Sequence, residues 1–161
     1  MEKMNFPKKF TLAIAMLSSG LATASFCESQ AREYLQLPKE MAGRSYSPGV
    51  ITRGGKQVWL AGVTTLQDEQ GKSLAGDVEG QTRFIFREIE RQLAKAGGKL
   101  EDIVTMTVYL TDARNGAQFA AVRKDMFPKN PPASAQITVS ALAVPGFLIE
   151  IQCVAVVGDE K

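Results

Sequence analysis

The sequence predicts an α+β domain, a mixed β-sheet with two helices packed on one face. Apolar residues recur at spacings of three and four over two stretches, near 78–96 and 119–126, which is helical periodicity. Other stretches, 103–110 and 148–157, alternate with period two, as strands do. The order is strands, helix, strand, helix, strand, strand. Two helices cannot cover both faces of such a sheet, so both belong on one face.

Taken in order, Gln57-Val58-Trp59-Leu60-Ala61 is a short apolar strand closed by Gly62, and Gln67 to Gly76 is a polar loop. Asp77 caps the first helix. Its buried stripe is Val78, Thr82, Ile85, Ile89, Leu93 and Ala96, and Gly97-Gly98 ends it. The strand Ile103 to Leu110 is expected to turn Val104, Met106, Val108 and Leu110 inward and Thr105, Thr107 and Tyr109 outward. Phe119, Val122 and Met126 line a shorter helix that Pro128 stops. Ala135, Ile137 and Val139 alternate in the next strand. The last strand, Leu148 to Val157, puts Ile149, Ile151, Cys153 and Ala155 on one face and Glu150, Gln152, Val154 and Val156 on the other. That second face mixes polar and apolar residues, which suggests a partner subunit.

The amino end is a separate object. Lys3, Lys8 and Lys9 precede an apolar run from Phe10 to Leu21, and Ala22-Thr23-Ala24 forms a small-residue cleavage site. That order of parts is a secretory signal peptide, too short to span a bilayer comfortably. Cys27 raises a lipoprotein reading, but Phe26 is too large for the residue before a lipidated cysteine. The expected organisation is a signal peptide at 1–24, a polar lead-in at 25–43 and one domain at 44–158, in a periplasmic or secreted protein with no membrane attachment after cleavage.

Composition narrows the chemistry. Loss of three lysines and one glutamate from 19 basic and 17 acidic residues leaves 16 of each, so the mature chain carries no formal net charge. Nothing draws it to a phosphate backbone over long range, and nucleic acid is not an expected partner. There is no histidine. This removes Ser-His-Asp and Cys-His nucleophile systems and nearly all catalytic zinc sites. No metal or cofactor is expected. Cys27 and Cys153 allow a single intrachain pairing, yet Cys153 lies in an apolar strand where a buried free thiol is the ordinary state.

Several pieces, in order, resemble the reactive intermediate deaminase (Rid, YjgF-like) family. Ser45-Tyr46-Ser47-Pro48 is similar to its opening strand, and Val58-Trp59-Leu60-Ala61-Gly62 to its second. Asp77 to Ala96 resembles its long helix, Glu101-Asp102-Ile103-Val104 the acidic loop before a Thr-Val-Tyr-Leu strand, and Phe119-Ala120-Ala121-Val122 its second helix. Pro132-Ala133 and Ile149-Glu150-Ile151 complete the series. The resemblance implies a chorismate-mutase-like fold, a homotrimer, small-molecule clefts between neighbouring subunits, and hydrolysis of enamine or imine intermediates to keto compounds and ammonia.

It also implies roles for single residues. Tyr46 matches a cleft-lining tyrosine, Gly62 a backbone position close to bound ligand, and Glu150 the acid that positions the attacking water. Ser134 stands where catalytic members carry an arginine that grips the substrate carboxylate, and a neutral hydroxyl cannot make that bidentate, charged grip. Ala61 stands where they often carry a hydroxyl, and Arg123 where some carry asparagine. An arginine on a surface helix is ordinarily solvated; the other reading is that Arg123 restores a cation from the helix side. Two functional classes stay open. The first is a metal-independent imine hydrolase using Glu150, and the second a non-catalytic binder of small ligands at a subunit interface. Ribonuclease activity, a label some family members bear, is the weakest option for a neutral chain without histidine. If the amino end is a signal peptide, mass spectrometry of the protein from its native source will show a chain beginning near Ser25. An intact Met1 in the cytoplasm would refute this.

Overall fold

The computed structural model describes residues 32–158. The predicted signal segment and Cys27 lie outside them. The elements are β1 (Arg32–Tyr34), β2 (Val50–Thr52), β3 (Lys56–Trp59), α1 (Val78–Ala94), β4 (Ile103–Leu110), α2 (Gly116–Met126), β5 (Ala133–Thr138) and β6 (Ile149–Val157). The main sheet has the order β3-β6-β4-β5. β6 runs antiparallel to both neighbours, and β4 and β5 are parallel, with α2 as the crossover between them. This is the expected mixed sheet. β1 and β2 form a separate antiparallel pair. The described part of the predicted lead-in thus carries β1 and a 3-10 turn at Lys39–Met41. Arg32 fastens it to the domain, donating to Glu101 O and Val156 O and pairing with Asp102.

α1 starts where Asp77 Oδ1 accepts from Gly80 N at 2.8 Å, satisfying one of the amides that a helix start leaves open. It ends one turn before the two glycines, with Gly97 at φ 81° and Gly98 N donating back to Leu93 O. Ala96 therefore sits past the helix, and the stripe that packs down is Val78, Thr82, Ile85, Phe86, Ile89 and Leu93. Phe86 stacks near Phe119 of α2 at 6.5 Å and meets Phe127 edge-on at 5.6 Å. Those rings join the helices above Met106, Val108, Ile151 and Cys153 of the sheet, so both helices lie on one face in a single core.

The register corrects one inward-facing expectation. Pairing slips between Ile103 and Thr105, so Val104 is the extra residue of a bulge. Ile103 is buried in its place, while Met106, Val108 and Leu110 face inward as predicted. β5 alternates in sequence but not in burial. It is an edge strand, and Ile137, paired with Tyr109 on the open face, is exposed. The other face of the sheet is open, and Trp59 on it is 74% exposed.

Periodicity also missed Gln81, a fully buried amide on α1. Its Nε2 donates to Leu74 O and Gly146 O, and its Oε1 accepts from Leu148 N. One side chain thus closes two loops over the end of the core. Gln81→Leu leaves those backbone groups unpaired. It should lower unfolding free energy in urea by about 2–4 kcal/mol. A loss within about 0.5 kcal/mol, the range of an ordinary surface change, would show that the clip is not structural.

Candidate functional site

The first group of site residues forms around Arg123. The segment before β2 docks on the outer edge of β5: Ser47 N donates to Pro132 O and Ser47 Oγ to Pro131 O, in a parallel bridge with Ala133. This brings Ser45 and Tyr46 beside the start of β5. Met106 pairs with Ser134, and Val108 with Gln136, so Ser134 and Gln136 share the helix-covered face with those buried residues. α2 lies over them, and Arg123 points into the gap.

Arg123 is not a surface arginine; it is 5% exposed. Nε donates to Ser45 Oγ at 3.1 Å and Nη1 to Ser134 Oγ at 2.7 Å. The guanidinium carbon lies 4.8 Å from the Phe119 ring centroid and 5.6 Å from that of Tyr46. Hydroxyl dipoles and ring faces offset part of the cost of burying a cation, but they supply no counter-charge. No carboxylate among the described residues pairs with it. Burial accordingly pulls its pKa down to about 10, with only the Tyr46 hydroxyl opposing. It is still a cation at neutral pH. The cleft in front of it is about 710 Å³ and is floored by Ala117, Ala120 and Ala121 of α2. That volume suits a small metabolite.

The second group is on the opposite face of the sheet. Tyr109 pairs with Glu150 and with Ile137, and Thr107 pairs with Gln152 and Ala135, so these residues share the open face. After β3 the chain bulges. Leu60 N bonds Cys153 O and Val63 pairs with Ile151, so Ala61 and Gly62 together oppose Gln152. Gly62 falls beneath the Glu150 carboxylate, where an added Cβ would meet Oε1 at 1.9 Å. Glu150 is half-buried and bonds no described side chain.

The predicted residues therefore separate within one protomer. Tyr46, Arg123 and Ser134 come together on the helix side of β5, while Gly62 and Glu150 come together on the open face. Sequence reasoning missed Ser45, Gln136, Arg44 and Lys124, all of which line the Arg123 cleft. Gln136 was legible, being two positions from Ser134 on the same side of a strand. Ser45 was not, because its contact with Arg123 spans 78 positions of sequence. Among the described residues no cluster of acids and thiols could hold a metal. Cys153 is a free, buried thiol whose pKa burial pushes up to about 12, so it is neither a nucleophile nor a ligand in this state.

Gly62 yields a sharp expectation. Its backbone conformation is open to any residue, so Gly62→Ala should change the melting temperature little. The new methyl group must displace the flexible carboxylate end of Glu150, and any turnover that depends on that acid should fall about tenfold or more. A variant as active as wild type would show that the approach of Glu150 to Gly62 has no functional weight.

Comparison with known proteins agrees with this architecture. The family model for Endoribonuclease L-PSP matches residues 38–157. A RutC family protein of Pyrococcus abyssi is 33% identical over 101 residues, which is 63% of this chain and 79% of that one. The crystal structure of a Yersinia pestis protein of the conserved Rid family superposes with a TM-score of 0.66 at 25% identity, covering 79% of this chain and 99% of that one. A member of the YjgF/YER057c/UK114 family from Mycobacterium tuberculosis gives 0.56 at 33% identity, covering 78% and 99%. With the fold, the sheet order and a match across most of its length in agreement, the chain belongs to the Rid/YjgF/RutC superfamily, the Endoribonuclease L-PSP family.

Proposed function

We propose that this protein binds small carboxylate-bearing imines or enamines in a cleft between subunits and hydrolyses them to keto compounds and ammonia, with Arg123 as the carboxylate clamp. The observation that carries the reading is the buried, unneutralised guanidinium of Arg123, bonded to Ser134 at the position where catalytic relatives are expected to carry their arginine. A carboxylate set on Nη2 and the free proton of Nη1 would supply the missing charge through a fork that fits it.

Glu150 supplies the water chemistry. Its carboxylate takes a proton from water as the oxygen bonds to the imine carbon, and the C=N electrons move to nitrogen. The same proton then passes to nitrogen, giving a carbinolamine; the carboxylate next takes the hydroxyl proton and delivers it to the amino nitrogen, and the C–N bond breaks so that ammonia leaves as the carbonyl forms. Imine and water give ketone and ammonia, with no metal and no redox step. Because Glu150 and Arg123 occupy opposite faces of one sheet, a complete cleft takes Arg123, Tyr46 and Ser134 from one protomer and Glu150 and Gly62 from its neighbour. The exposed Trp59 and the half-polar open face are the surfaces such a homotrimer would bury. A periplasmic or secreted location is part of the same proposal and rests on the amino-terminal pattern alone.

The substitution at Ser134 favours a second reading, a binder without turnover. Ammonia release from an imine generated from an amino acid separates the two. If Arg123 is the clamp, wild type is active and Arg123→Ala loses about ten- to a hundredfold in kcat/KM, the worth of a charged hydrogen bond. Ser134→Arg alone should not help, since it sets two cations side by side. The double variant Arg123→Asn/Ser134→Arg, which moves the cation to the strand, should recover part of the loss. Wild-type turnover unaffected by Arg123→Ala would sink the clamp. A wild type that binds carboxylates but releases no ammonia would leave the binder.

A further inference from the structure

Within one protomer the cleft in front of Arg123 is lined by three cations, Arg44, Arg123 and Lys124, and by no carboxylate, so that the neighbour's Glu150 is the one acid the proposed assembly adds. A smaller hollow of about 250 Å³ adjoins it through Gly43, Arg44 and Tyr46, and adds Lys129, again without an acid. On the exposed face of α1, by contrast, the arginines are matched: Arg83 with Glu79 and Asp125, Arg87 with Glu69, Arg91 with Glu88. None of the cleft's cations has an ion pair among the described residues.

We propose that this cleft takes a small dicarboxylate, with one carboxylate on Arg123 and the second held by Arg44 and Lys124. The inference rests on the carboxylate-binding reading above and narrows its ligand class. Arg123 lines the cavity and can grip one carboxylate only, since Nε and one Nη1 proton are committed to Ser45 and Ser134. The other two cations flank it. Arg44 precedes the Ser45 that bonds Nε, and Lys124 follows Arg123 on α2, about 100° further round the helix. Both are exposed, so they can reach a second anionic group at the mouth. Between the two stations the wall is the methyl groups of Ala117, Ala120 and Ala121, which suits a short hydrocarbon linker. The lined stretch of α2, Gly116 to Lys124, is about 12 Å long at 1.5 Å per residue. Separated cations with an apolar floor fit a ligand charged at both ends, and a single compact anion would leave most of the cleft unfilled.

Isothermal titration of the mature protein near neutral pH tests this, with glutarate, pentanoate and inorganic phosphate as probes. The two acids share a five-carbon chain and differ by one carboxylate. Glutarate should bind about ten- to a hundredfold more tightly. Arg44→Gln and Lys124→Gln should each remove most of that preference, leave pentanoate affinity unchanged, and keep the wild-type melting temperature without ligand. Equal affinity for the two acids, or variants that weaken both alike, would overturn the dicarboxylate assignment and leave the single clamp at Arg123 standing. Phosphate binding as tightly as glutarate would overturn the two-ended geometry. Binding of neither acid would overturn this inference and the clamp together.

Discussion

The guanidinium of Arg123 is buried without a carboxylate partner among the described residues, and the elements around it are placed to make that tolerable. The segment carrying Ser45 and Tyr46 is fastened to the edge of β5 by two bonds from Ser47. β5 presents Ser134 from the other side, and Phe119 closes the inner wall with a ring face. These contacts solvate the cation with dipoles and π-electrons but do not neutralise it. A protein that wanted only stability would replace such a group with an apolar one at little cost. Its retention at the floor of an open cleft is an argument for an anionic ligand.

The sheet register supplies the second constraint. Side chains alternate across a strand, and the pairing of Met106 with Ser134 and of Tyr109 with Glu150 puts the cation site and the acid on opposite faces. No side-chain rotation undoes that. β5 is an edge strand, so the cation site opens beside a flank that only the Ser47 segment partly covers. In the proposed assembly, a second copy laying its open face against that flank would bring an acid to the cation. The bulge at Ala61-Gly62 would serve the same proposed geometry from the partner's side, because only a residue without a side chain lets the Glu150 carboxylate lie so close to the backbone.

Much of this was legible in the sequence, for identifiable reasons. α1 was readable because its stripe repeats without interruption and Asp77 and Gly97 punctuate it. β4 was located to the residue, yet its first inward side chain was misassigned, since a bulge shifts register without leaving a pattern in one strand's sequence. β5 looked half-buried because alternation reports a strand and not its place in the sheet. The fate of Arg123 could not be read at all. Periodicity puts it on α2 one position from the buried Val122, and whether a side chain there turns outward or inward depends on Ser45, 78 positions away in sequence. Gly62 and Glu150 were each legible singly, but their contact depends on the detour between Leu60 and Val63.

The central claim is that a working cleft takes its cation from one protomer and its acid from the next. Mixed assemblies of Arg123→Ala and Glu150→Gln protomers, unfolded and refolded together, test it directly by ammonia release. Each variant alone should keep no more than about a tenth of the wild-type turnover. In a random mixture about a quarter of the interfaces of a cyclic trimer join an intact Arg123 to an intact Glu150, so turnover should return to about a quarter of the wild-type level. A mixture no more active than its parents, from a wild type that is active, would place both groups in one protomer's site and contradict the account.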